Sequence, residues 1–281
     1  MNDFVRSKVC FYSSMFSGTS NMHRIIECAG EKGVYGVEMM NFCDELRSPD
    51  MSAAKELAAL ARGYGLALPV FSAGINLVGE DVAVQNLERL CRYAEICSEL
   101  EIPVLHHTIA PALTNVYGDD AAIAEVFKRG TDAALRINDF SARLGVRTVV
   151  EDQGFVFNGK VNYRRFLDAT EGKIGALLDV GNIRFAGESP EELLTVLTEP
   201  PVHVHLKDYI YCTESENPLF KDKLGRSFAD TEIGKGDIDL SAVADGLRAL
   251  GYDGLYSMEY CHVKDLSEVD RTLAHVSRIF A

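Results

Sequence analysis

The sequence of 281 residues predicts an α/β protein built as a single (β/α)8 barrel. Three observations carry the prediction. Eight short apolar segments alternate with longer segments of helical period. Glycines fall where a helix should end and the next strand begin. The turn after the first strand has no Gly-rich phosphate fingerprint, which sets aside an open doubly wound sheet. Strands that alternate with helices are parallel, because each return crossover is a helix.

The strand segments are residues 9–12, 34–39, 67–72, 103–108, 147–152, 175–180, 202–207 and 254–260, each followed by a helical segment. After the first comes Tyr12-Ser13-Ser14-Met15-Phe16-Ser17-Gly18, which is no GxGxxG. Leu57, Leu60 and Ala61 share one helix face, as do Leu87, Leu90, Cys91 and Ala94. Gly33, Gly65, Gly145, Gly172 and Gly251 read as helix-terminating residues in the left-handed conformation. Ser189-Pro190-Glu191-Glu192 reads as a helix start, with Ser189 as N-cap and Glu192 completing a capping box. Residues 209–236, which contain Pro218 and three glycines, form the longest loop candidate and are expected to act as a lid or binding loop. No domain boundary, low-complexity segment or repeat interrupts residues 1–281, so one domain is expected.

With 47% apolar residues the chain can bury a large core, filled without tryptophan. The net charge of −14 repels phosphate backbones and anionic lipid, so neither nucleic acid nor membrane is expected as a partner. Cys10, Cys28, Cys43, Cys91, Cys97, Cys212 and Cys261 are odd in number and scattered, with no CxxC pair, which suits free thiols in a reducing compartment. The start of the chain has no apolar h-region, and no run reaches the ~20 apolar residues of a membrane span. A cytoplasmic location is expected.

Polar residues recur at one place in the pattern. Glu151, Asp179, His205 and Glu259 each follow an apolar run near the end of strands five, six, seven and eight. In a parallel barrel those ends meet on one rim, where active sites of this fold are built. Three converging carboxylates repel unless a proton or a cation neutralises them. A divalent metal would give all four groups one purpose. The oxygen-rich set favours Mn²⁺, Mg²⁺ or Co²⁺, with Zn²⁺ also allowed. His203 and His205 are two apart and share one strand face, so one can be a ligand and the other a substrate group. Asp208 is expected to orient an imidazole. His106 and His107 are adjacent, so only one can face the barrel mouth. His107 is assigned to substrate, with a hydrogen-bonded structural histidine as the alternative, and Glu38 faces the same choice.

Together Val150-Glu151-Asp152, Leu178-Asp179-Val180-Gly181, His203-Val204-His205-Leu206-Lys207-Asp208, Gly234-Lys235-Gly236 and Met258-Glu259 resemble the xylose isomerase-like barrel superfamily. More narrowly, the chain is similar to its sugar phosphate isomerase/epimerase branch. The resemblance implies one metal held by Glu151, Asp179, His205 and Glu259, with Glu151 and Glu259 also transferring protons. A metal that binds a carbonyl and a neighbouring hydroxyl oxygen acidifies the intervening C–H and stabilises an enediolate. Two carboxylates can then remove a proton from one face and return it to the other.

The chain departs from the ketose 3-epimerases of that branch at three positions: Asn182 stands in place of a histidine, Phe157 of a glutamate and Tyr211 of an arginine. Asn182 would then meet substrate through a neutral amide. The run ending in Lys207 and Asp208 is more like the branch that contains inosose and dehydroshikimate dehydratases. Lys207 shares a face with His205 and is expected to bind a substrate carboxylate, phosphate or hydroxyl. Arg184, Arg164 and Arg165 follow strand ends and are candidates for anion contacts. The expectation is therefore a metal-dependent isomerase or epimerase acting on a sugar, sugar acid or sugar phosphate, with a dehydratase as the alternative. Its partner is a small carbohydrate-like molecule, and a homo-oligomer is compatible with the sequence. The endonuclease-IV-like class needs further His ligands, including one at Asn182. A non-catalytic barrel would have no need of the four strand-end groups.

Overall fold

The computed structural model describes residues 3–12, 21–213, 219–259 and 266–281. Residues 13–18, Pro218, Tyr260 and Cys261 lie outside them. Eight parallel strands close into a barrel: β1 (Val9–Tyr12), β2 (Gly36–Met40), β3 (Val70–Ala73), β4 (Val104–His107), β5 (Arg147–Glu151), β6 (Gly175–Asp179), β7 (His203–Leu206) and, eighth in the barrel, β11 (Tyr256–Met258). Neighbours follow chain order, and β1 closes the ring on β11 with Cys10 opposite Ser257. These strands overlap all eight expected segments, with each described end within three residues.

The helices outside the barrel stop where the glycines require. Gly33, Gly65, Gly145, Gly172 and Gly251 all have φ between 56° and 76°, a conformation that side chains with a Cβ rarely adopt. The short helix Pro190–Leu194 starts with the expected capping box: Ser189 accepts from the Glu192 amide, and Glu192 accepts from the Ser189 amide. Such a cap offsets the poor intrinsic stability of so short a helix by about 1 kcal/mol. The described cysteines are all free thiols. Among the described residues no helix is long and apolar enough to cross a membrane.

The barrel interior is layered. Cys10, Val70, Val149 and Leu177 are buried on inward-facing positions below. Above them, the places that bulky aliphatics usually fill in such a barrel hold Glu38, Ser72, His106, His203, His205 and Ser257, all buried. Buried polar groups in that number are tolerated only when they are hydrogen-bonded to one another.

Residues 209–236 are not the open loop that the sequence suggests. Their described part contains a three-stranded antiparallel sheet, in the order β8 (Asp208–Tyr211), β10 (Ser227–Thr231), β9 (Phe220–Lys221). An aromatic cluster holds it: Phe185, Tyr209, Phe220 and Phe228 have ring centroids 4.9–6.1 Å apart. Asp208 fixes the base of the sheet. Its carboxylate accepts from the amides of Gly234 and Gly236, both at 2.9 Å, and also from Tyr209 and Ile238. A Cβ on Gly236 would collide with that carboxylate, which is why Gly234-Lys235-Gly236 follows Asp208 in space. The expectation that Asp208 orients an imidazole is corrected: its acceptor capacity is used on backbone.

Candidate active site at the barrel rim

Because β5, β6, β7 and β11 are adjacent and parallel, their C-terminal ends carry Glu151, Asp179, His205 and Glu259 to one point. One ligand-type atom from each lies within 4.8 Å of the others. His205 Nδ1 is 2.9 Å from Glu259 Oε2, 3.9 Å from Asp179 Oδ2 and 4.0 Å from Glu151 Oε2. His205 Nδ1, Asp179 Oδ2 and Glu259 Oε2 are buried and lack hydrogen bonds of proper geometry, even where they sit close together. Buried atoms of this kind, aimed at one spot, fit a divalent cation bound through three carboxylates and one imidazole.

The electrostatics describe the same strain. Burial pushes the Asp179 carboxyl up to about 7; Lys207 pulls against that, while Glu259 and Glu151 add to it. Glu259 is also buried, but Lys207 and His205 outweigh the burial and hold it at about 2. Burial disfavours the charged form of His205, yet Glu38 and Glu259 raise it well above the usual imidazole range. Lys207 Nζ lies 2.8 Å from Asp179 and 2.9 Å from Glu259, and these carboxylates keep it charged despite burial.

Under the cluster runs a chain of hydrogen bonds across the barrel. Glu38 accepts from Ser72 Oγ, from His203 Nε2 at 3.2 Å and from His205 Nε2 at 3.1 Å. Burial pushes Glu38 up, but His205 and His203 hold it well below the usual carboxylate range, so it is an acceptor only. Both imidazoles must then donate to it. Ser72 spends its proton on Glu38, so His106 Nδ1 donates to Ser72 Oγ at 2.7 Å. That leaves His106 Nε2 facing Glu151 at 3.5 Å. Glu38, His203 and His205 are also close enough to hold a metal, but their polar atoms already satisfy one another. That trio reads as a support for His205.

Glu151, Glu259 and His106 open onto a cavity of about 390 Å³, which among the described residues is also lined by Tyr12, Met40, Phe42, Gly74, Ile75, Asn76, Thr108, Pro111 and Gln153. The Tyr12 ring packs 5.0 Å from His205. Burial, then Glu259, Glu38 and Glu151, push its hydroxyl well above the usual range, so it stays protonated.

Several expectations for substrate contacts change. His107 is fully buried on the outward face of β4, with Nδ1 donating to the Thr108 carbonyl, and burial lowers it to about 4. Strand alternation puts His106, not His107, at the cavity. His203 lies one pleat below His205 and bonds to Glu38 and Ser257 (2.8 Å), so it is a prop and not a cavity group. Asn182 donates to Glu151 Oε2 at 3.0 Å and accepts from Lys207 at 3.3 Å, which fixes two charged neighbours. Arg164 pairs with Asp168 and Arg165 stacks on Phe127, so neither joins this cluster. Tyr12, His106 and Ser72 are the cavity and support residues that sequence reasoning missed or misassigned. The position of Tyr12 at the end of its strand was the available signal.

The family model described as xylose isomerase-like TIM barrel matches residues 26–278. Among solved structures, the IOLI protein with a binding zinc atom is 17% identical, with a TM-score of 0.75 over 98% of this chain and 99% of that one. The 3-keto-D-glucoside 4-epimerase of E. coli is 17% identical, with a TM-score of 0.72 over 97% and 99%. The D-psicose 3-epimerase of Clostridium cellulolyticum H10, solved with D-tagatose, is 14% identical, with a TM-score of 0.72 over 97% and 99%. At these identities the likeness establishes a shared fold. None of the curated proteins compared by sequence matches the chain significantly.

Proposed function

The chain belongs to the xylose isomerase-like TIM barrel family, and from that premise we propose that it is a divalent-metal-dependent isomerase or epimerase acting on a sugar, sugar acid or sugar phosphate through an enediolate. The observation that carries the reading is the convergence of Glu151, Asp179, His205 and Glu259 beside a cavity of small-molecule size. Those four residues would hold the cation, with Mn²⁺, Mg²⁺, Co²⁺ and Zn²⁺ all compatible with the donor set. When bound, it would polarise a substrate carbonyl and stabilise negative charge on oxygen.

The chain supplies the rest. Glu151 and Glu259 line the cavity from strand ends three places apart in the barrel order, so they meet a substrate carbon from different sides. One removes a proton and the other returns one. Asn182 and His106 hold Glu151, while Lys207 and His205 hold Glu259, so neither carboxylate must reorganise during transfer. Met40, Phe42, Ile75 and Pro111 form an apolar wall that excludes water from an enediolate. The β8–β10 sheet follows directly on β7, the strand that carries His205, and in this reading would act as a cover over bound substrate. The solved relatives named as sugar epimerases, and the one with zinc, support the reading through their shared fold.

The test is solvent deuterium exchange with metal-loaded protein and a panel of ketoses, keto acids and sugar phosphates. Wild type should place deuterium at the carbon next to the carbonyl of one class, and Glu151→Gln and Glu259→Gln should each abolish it. Loss of water from the product would reassign the protein as a dehydratase. Absence of exchange across the whole panel would remove the proposal.

A further inference from the structure

Arg184 lies in the short turn of helix Asn182–Ala186, directly after β6. It is 9% exposed. Its side chain makes no ion pair or hydrogen bond with any described residue, and Nε is buried without a partner. The guanidinium packs on the ring of Tyr211, whose centroid is 4.5 Å from the guanidinium carbon. A guanidinium cannot lose its proton to escape burial, so it needs a counter-charge.

Among the described residues none supplies it. Arg226 packs on the same Tyr211 ring at 4.8 Å, but Asp222 compensates it at 2.6 Å. Lys207 is compensated by Asp179 and Glu259. Among the described residues Arg184 is therefore a buried cation left over, packed on an aromatic ring between the rim of β6 and the β8–β10 sheet. Two residues before it, Asn182 bonds to both Glu151 and Lys207, which ties this turn to the metal-ligand cluster.

The geometry points to Arg184 as the anchor for an oxyanion, a carboxylate or phosphate group carried by the substrate at a distance from its reacting carbonyl. This rests on the function proposed above and narrows it to anionic substrates. The guanidinium packed on the Tyr211 ring keeps terminal nitrogens that no described residue engages, and these can meet two oxygens side by side. An uncharged sugar would leave Arg184 unpaired. Glu151 and Glu259, which line the cavity, would repel the anion and favour the orientation that brings it to Arg184.

The experiment is calorimetric titration of the whole protein with inorganic phosphate and, separately, with malonate. Wild type is compared with Arg184→Met and with Arg184→Gln, which keeps a planar group on Tyr211 without charge; folding of each is verified by thermal melting. Wild type should bind at least one probe, and the variants should bind it about tenfold more weakly or not at all. Metal stoichiometry, measured in parallel, should stay unchanged. Phosphate alone identifies a sugar phosphate, and malonate alone a sugar acid. Binding of neither probe by wild type, or equal binding by a folded variant, overturns the anchor. A protein that binds metal normally but no anion would lose this inference while the proposed function stands.

Discussion

Glu38 on β2 and His205 on β7 are three strands apart in the barrel order, yet the His205 Nε2 lies 3.1 Å from both carboxylate oxygens of Glu38. Glu38 is fully buried and acts only as an acceptor, so it fixes Nε2 as the protonated nitrogen and presents Nδ1 to the carboxylate cluster. A carboxylate behind a metal-binding histidine also raises the basicity of the imidazole.

Glu38→Gln should therefore weaken metal binding by about 10–100-fold while leaving one site per chain. Calorimetry with Mn²⁺ and Zn²⁺ measures both quantities. Unchanged affinity would mean that His205 is held without Glu38.

The raised Asp179 carboxyl predicts two opposite pH trends. Its folded value of about 7 lies above the ordinary carboxylate range. Its contribution to stability is full below the unfolded value, about 4, and is lost as pH rises through the folded value. Metal-free protein should thus melt lower near pH 8 than near pH 6, a difference that Asp179→Asn should shrink. Metal affinity should run the other way, falling as pH drops below about 7, because the proton competes for the ligand oxygen. A pH-independent affinity would contradict the assignment of Asp179 as a ligand.

Adjacent histidines should behave differently. His106→Asn removes a cavity group that touches Glu151 and should lower turnover by about tenfold or more with little change in melting temperature. His107→Leu should instead shift the melting temperature and leave turnover nearly unchanged, because His107 is buried on the outward face and bonds only to backbone. The reverse outcome would mean that the strand faces are misassigned.

Asp208→Ala removes the acceptor shared by four backbone amides and should cost at least about 1–3 kcal/mol in a denaturant melt. Limited proteolysis should then cut within residues 209–236 before the rest of the chain. Wild-type stability in this variant would show that the aromatic cluster alone holds the sheet.

The barrel and its rim cluster were legible because they rest on local signals. The glycines at 33, 65, 145, 172 and 251 and the Ser189 capping box are short-range chemistry, and each sits where expected. Glu151, Asp179, His205 and Glu259 were readable because a parallel barrel carries strand ends to one rim. What the sequence hid depends on register. Alternation states that His106 and His107 face opposite ways, but only the pairing of His106 with Ser72 and Val149 shows which one faces in. Asp208 was misread because its partners Gly234, Gly236 and Ile238 are far along the chain. The β8–β10 sheet was missed because its strands are short and the rings that hold it come from different segments.

Asp208 also has a meaning for how such a protein can change. It ties the residue where the chain leaves the barrel to the glycines where it comes back. Phe185 and Arg184, from the turn after β6, fasten the same sheet a second time through the rings of Tyr209, Phe228 and Tyr211. A change in the sheet is therefore felt at the turn that carries Asn182, so a barrel that exchanged this segment for another would have to exchange that turn with it.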